Sequence, residues 1–205
     1  MAMGSIVMAA IVLSYQVQVT GKISQESMLD RNQDTRAALE LMASDIRIAG
    51  CNPTGIRTPV GFVTATSTTL EVTMDTRSST GNESDGFIDQ PGEDVRYTLD
   101  SSIPHNIMRE RVGFDPQGGV LLVSNVDALN FVYLDNNNAP TANITAIRSV
   151  QISIVVHSTK RGLPTPSYTD NKSYLNQQGA QILAPPGDTL RRLQLSTTVQ
   201  CRNIR

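Results

Sequence analysis

The chain has 205 residues, 39% of them hydrophobic and 18% charged, which is enough apolar material for one packed domain and too little for two unrelated large ones. Its formal net charge is −2, and its seventeen Lys and Arg residues are spread out, with no run longer than the pairs Lys160-Arg161 and Arg191-Arg192. That spread argues against direct nucleic-acid binding, since a phosphate-binding surface needs a concentrated basic stripe.

Met1 to Gly21 is uncharged, but its apolar centre, Ile6–Leu13, is shorter than the roughly 20 apolar residues that cross a bilayer. The stretch also lacks the positive n-region and small-residue cleavage site of a secretory signal. A helical pattern continues from it. Ile23, Glu26, Asp30, Asp34 and Arg36 lie in a polar stretch free of Pro and Gly, and Leu39, Met42, Ile46 and Ala49 then share one face. Gly50 is a suitable left-handed C-cap and Pro53 follows it, so Met3–Ala49 reads as one helix of about 70 Å. The stripe of Leu39, Met42 and Ile46 reads as core. Ile6, Val7, Ala10, Ile11 and Leu13 have no domain to cover them, which marks an interface with lipid or partner helices. Gly4, Ala9 and Ala10 are small enough for such helices to approach closely.

After Pro59 the period becomes alternating. Expected strands are Gly61–Ala65, Thr69–Met74, Asp94–Leu99, Ile107–Val112, Val120–Val123, Ala128–Leu134, Ile147–His157 and Arg191–Arg202, separated by Gly, Pro, Asn and Asp clusters. The class is therefore α+β, one helix and then a mostly antiparallel sheet. Two long loops interrupt it, Thr76–Glu93 and the proline-rich Lys160–Asp188, and long loops are usually functional or disordered.

Cys51 and Cys201 are the only cysteines and permit a single disulfide. In an oxidising compartment that bridge would close about 150 residues and stabilise the fold by about 5 kcal/mol on the chain-entropy model. The alternative is two buried thiols in a reducing one.

Catalysis has little support. The histidine bases on offer are His157, closing a strand expected to have apolar partners, and His105, in a Pro-Asn turn; no Gly-x-Ser-x-Gly elbow, phosphate-cradling glycine loop or zinc-spaced His/Cys cluster is present. One acidic constellation stands out: Asp75, Glu83, Asp85, Asp89, Glu93 and Asp94, interleaved with Asn82, Gly86 and Gly92. Carboxylates two to four residues apart suit a hard cation such as calcium, with Asp85, Asp89 and Glu93 as ligands; the alternative is a solvated acidic turn. The spacing does not fit an EF-hand, because Gly81 would fall at the first position.

MAMGSIVMAAIVLSYQ resembles the interior of a type IV pilin-like N-terminal helix, and RNQDTRAALELMASDIRIAGC at Arg31–Cys51 is similar to the helix end of PilW minor pilins and of the related GspJ pseudopilins of type II secretion. SDGFIDQPGEDVRYTLD at Ser84–Asp100, IRSVQISIVVHS at Ile147–Ser158 and RRLQLSTTVQCRNIR at Arg191–Arg205 carry the resemblance through the middle and end of the chain. It implies a type IV pilin-like fold, a long helix packed on a mostly antiparallel sheet, with residues 1–50 as membrane and assembly helix and 51–205 as a periplasmic β-rich domain. It also implies a structural minor pilin that helps initiate assembly at the filament tip. The implied partners are other major and minor pilins, an inner-membrane assembly platform and inner-membrane lipid, with no cofactor. Residence would be the inner membrane and then the pilus or pseudopilus, and motor chemistry would lie with an assembly ATPase. PilW-like sequences often carry an Asp- and Gly-rich loop before a strand resembling VRYTLD, which adds to the calcium reading. The family's cleavage motif, with its Phe and Glu, is missing from these residues, so the sequence is expected to start downstream of the true terminus. A type II secretion pseudopilin is the alternative within the family. From another class, the rival is an anchored periplasmic binding or adhesion module using the loops Thr76–Glu93 and Lys160–Asp188.

Overall fold

The computed structural model describes residues 8, 12, 14–15, 31–55, 60–76, 84–158 and 168–204. Helix α1 covers residues 31–48 and is about 27 Å long. Gly50 ends it in the left-handed region, at φ +77°, where a side chain would also meet Ile204 at 2.8 Å. The helix stop read from the sequence therefore holds.

Nine strands follow among the described residues: β1 Gly61–Ala65, β2 Thr69–Thr73, β3 Asp94–Leu99, β4 His105–Arg111, β5 Val120–Leu134, β6 Ser149–His157, β7 Tyr174–Leu175, β8 Gln181–Leu183 and β9 Arg192–Gln200. Seven form one antiparallel sheet in the order β1-β2-β3-β4-β5-β6-β9, and β7 and β8 form a separate two-stranded hairpin.

Alternation along the strands sends one set of side chains toward α1. Leu70, Val72, Val95, Tyr97, Ile107, Leu129, Phe131, Val150, Ile152, Ile154 and Val199 join Ala38, Leu39, Met42, Ala43, Ile46 and Ala49 in one core. The predicted helix stripe is thus core, with Met42, Ile46 and Ala49 at 0% exposure.

Three expectations are corrected in detail. The strands expected at Val120–Val123 and Ala128–Leu134 are one strand, β5, whose register against β6 shifts between Val126 and Ala128. Asn125 sits there at φ +58°, a conformation Asn tolerates better than most residues, so a polar kink reads locally as a strand end. The loop expected over Lys160–Asp188 contains β7 and β8, which are too short to show a period. The surroundings of His157 are not purely apolar: its Nδ1 lies 3.0 Å from Asp127 Oδ2, from the kinked part of β5.

Ile46→Ala should cost about 2–5 kcal/mol in urea denaturation, because the helix and the sheet around it cannot close the cavity.

Candidate functional site

Three places among the described residues gather charged groups: the latch under the helix, the acidic loop at one end of the sheet, and the face of the sheet away from the helix.

The latch is Asp45. Its position on the buried side of α1 would be costly without partners. Tyr97 Oη donates to Asp45 Oδ2 at 2.6 Å, and Arg109 Nη2 donates to the same oxygen at 3.1 Å. Tyr97 and Arg109 are paired across β3 and β4, so the register delivers both to one spot, and the guanidinium lies 5.9 Å from the Tyr97 ring centroid. Burial first, and then the Asp45 carboxylate, push the Tyr97 phenol well above its ordinary range, so it stays a proton donor. At the other end of α1, Arg31 Nη1 donates to Ser124 Oγ at 2.7 Å.

In the acidic loop the carboxylates organise backbone. Asp75 accepts from the amides of Asp85 and Gly86, and Glu93 accepts from those of Thr76, Asp89 and Gln90. Asp85 Oδ1 accepts from the Phe87 amide and Asp89 Oδ1 from Gln90 Nε2. Among the described residues, no three of the acidic, His or Cys side chains come together as a metal-holding group. Glu83 lies outside the described residues.

The far face of the sheet is polar over β1 to β4. Arg96 bridges Glu71 (3.1 Å) and Glu110 (3.2 Å), one residue from each flanking strand, and Thr64 Oγ1 donates to Glu71. Asp94, two residues along on the same face, has a buried Oδ1 with no hydrogen-bond partner. Burial, then Glu71, with a smaller push from Glu110 that Arg96 opposes, raise the Asp94 carboxyl to about 6.

Over β5, β6 and β9 that face is covered by the β7–β8 hairpin, with Tyr174, Ile182 and Leu183 packed on Ala128 and Val155. Arg192, whose side chain is only 3% exposed, clamps this lobe: Nε donates to Asp127 (2.8 Å), Nη1 to Asp170 (3.2 Å) and Asp188 (2.7 Å), and Nη2 to Asp188 (2.7 Å). Tyr174 Oη donates to Asp170 Oδ2 at 2.7 Å. Arg192 first, against burial, holds the Asp188 carboxyl below its ordinary value. For Asp170, burial raises it, but Tyr174, the Lys172 amide and Arg192 outweigh that and lower it. Asp127 is thus engaged from both sides, by Arg192 and His157, which gives the buried His157 a place in the lobe's clamp. His105 Nδ1 contacts the Asp100 carbonyl oxygen at 2.9 Å, at a strand start.

Cys51 and Cys201 are separate thiols in this structure. Cys201 lies in the main core and Cys51 packs against it, and burial pushes the Cys201 thiol up to about 11. The C-terminal segment crosses the helix end, where Asn203 Nδ2 donates to the carbonyls of Arg47 and Ile48. The interface residues read from the sequence, Ile6, Val7, Ala10, Ile11 and Leu13, lie outside the described residues, as do Gly4 and Ala9. Among their neighbours, Met8, Val12 and Tyr15 are helical and exposed by 66%, 49% and 68%. No helix among the described residues is long and apolar enough to cross a membrane.

No protein-family model and no curated protein matches the chain. Among solved structures, a type IV-like pilin from Thermus thermophilus matches with a TM-score of 0.54, covering 85% of this chain and 98% of that one at 14% identity. At that identity the likeness is one of fold. The chain has a pilin-like fold, one helix laid on a large antiparallel sheet.

Arg192→Met leaves three carboxylates around an uncharged side chain and should cost about 3–5 kcal/mol, read by chemical denaturation at pH 7. The depressed Asp170 and Asp188 stabilise the lobe above their ordinary carboxyl range, and that stability is lost as pH falls through their folded values, below about 4. Asp94 has the opposite sign: its raised carboxyl favours the fold below its unfolded value near 3.8, and this advantage is lost as pH rises through about 6. Asp94→Asn should therefore stabilise the protein by about 1 kcal/mol at pH 7, a figure discounted for solvent screening, and change little at pH 3.5.

Proposed function

We propose that this chain is a structural subunit of a type IV pilus-like filament, a PilW-like minor pilin that helps start assembly at the filament tip. A minor pseudopilin of the GspJ type would use the same surfaces in a type II secretion system. The observation that carries the reading is the division of labour along the N-terminal region. The part at 31–48 spends its apolar stripe on its own sheet, whereas Met8, Val12 and Tyr15 are exposed. An apolar helical stretch without cover in its own domain suits lipid before assembly and packing among other subunits' helices afterwards. The pilin-like fold and the resemblance of Arg31–Cys51 to pilin helix ends support the same reading.

On this reading the partners are other pilins, an inner-membrane platform and lipid, the location is the cell envelope, and the role is structural rather than catalytic. Cys51 and Cys201 would be oxidised to one disulfide there, tying the helix end to the end of β9. Cys201 lies in the core against which Cys51 packs, and neither has a Cys or His close by in the sequence that would make a metal or redox motif instead.

Val12→Asp should abolish recovery of the subunit in sheared filaments while leaving the denaturation midpoint of the domain unchanged. Recovery at the normal level would refute the filament role. Intact mass of protein taken from the native envelope, without reductant, should be two hydrogens lighter than after reduction; equal masses would rule out the bridge.

A further inference from the structure

The two edges of the main sheet are unlike. β1 is five residues long, shifts register between Phe62 and Thr64 and turns Val63 outward, all features that spoil an edge for pairing. β9 runs nine residues against β6 without one register shift, and from Leu193 to Gln200 it contains neither charge nor proline. Among the described residues its only strand partner is β6.

The bonds that flank the β6–β9 ladder fix which groups are spare. Ser158 N–H donates to Arg191 O at 3.0 Å and Cys201 N–H to Arg148 O at 2.9 Å. Bonded pairs recur every second residue in an antiparallel ladder, so Leu193, Leu195, Thr197 and Val199 turn their amides and carbonyls toward β6. Gln194, Ser196, Thr198 and Gln200 turn theirs outward.

We propose that the outer edge of β9 is a strand-addition site for an extended segment of a different protein subunit, one with an uncharged centre and a carboxylate at each end. The spare backbone groups fix the class of ligand, since only another extended backbone satisfies the row. Charge selects the partner. Residues 189–205 contain no acid, and exposed Arg191 and Arg202 bracket the neutral edge, while Arg192 is spent on Asp127, Asp170 and Asp188. A second copy paired along the same edge would bring one acid-free, net-positive segment against another, with no carboxylate to offset Arg191 and Arg202, which disfavours self-pairing. Half-buried Leu193 and Leu195 on the helix side ask for apolar or β-branched residues at alternate positions of the guest. On the other face the side chains of Gln194, Ser196 and Thr198 are already bonded to Leu175, Ser153 and Gln177, and they leave a polar border beside the edge.

The site rests on the geometry of β9 and not on the filament role. A chain that binds as described but never enters filaments overturns the role and leaves the edge site standing, and the converse holds equally.

The test uses the full chain and a synthetic peptide of alternating valine and threonine with a glutamate at each end, beside the same peptide with lysines there. The glutamate peptide should bind at least tenfold tighter, and amide hydrogen exchange should slow at Gln194, Ser196 and Thr198. Ser196→Pro removes one outward amide and no β6 bond, and should weaken binding at least tenfold. The double variant Arg191→Glu with Arg202→Glu keeps the whole edge and should reverse the peptide preference. Absence of saturable binding to about 1 mM, equal binding of both peptides, or protection elsewhere in the chain would each overturn the proposal.

Discussion

One helix has to cover a seven-stranded sheet, and it can do so only if it is held at a fixed angle and depth. Apolar burial gives the contact its strength but little positional precision, because hydrophobic attraction has no direction. Asp45 supplies the direction. A carboxylate on the buried side of α1 is tolerable only where Tyr97 and Arg109 meet it, and those two coincide only because β3 and β4 pair in the register Tyr97↔Arg109. The helix position, the strand register and the sheet's inner face are therefore mutually dependent.

A sheet that spends its single helix on one face must deal with the other by different means. Over β1 to β4 it does so with charge, the Glu71–Arg96–Glu110 row laid across three strands, which tolerates water. Over β5, β6 and β9 it uses a small lobe, too short in β7 and β8 to hold itself, which is clamped by a nearly dry arginine among three aspartates. Asp94 is the exception, a partly buried carboxyl with one unsatisfied oxygen beside two other acids. It is the place where this face gives up stability at neutral pH.

What could be read in the sequence was whatever repeats within a few residues. The spacing of Leu39, Met42, Ile46 and Ala49 gave the buried stripe, Gly50 the stop, and the alternation of DVRYTL or SVQISIVVH the strands and their inward faces. What was not legible depends on residues far apart in the chain. His157 looked apolar in its surroundings because Asp127 is thirty residues away on a kink. The clamp on Arg192 draws on Asp127, Asp170 and Asp188, and no local pattern announces it. The acidic loop shows the same limit of local pattern. Carboxylates spaced for a cation are equally spaced to cap backbone amides, and here Asp75 and Glu93 do the latter.

In the proposed role the N-terminal region is divided between its own domain and other molecules, and that division would make the protein a filament subunit rather than a self-sufficient globule. The most direct measurement places single cysteines at Met8, Val12 and Tyr15, in a background with Cys51 and Cys201 replaced by serine, and compares their reaction with a membrane-impermeant thiol reagent in detergent-dispersed subunits and in purified filaments. The account predicts rapid labelling of the dispersed protein and protection at all three positions in the filament. Filaments that contain the protein but label at these positions as fast as dispersed subunits would contradict it.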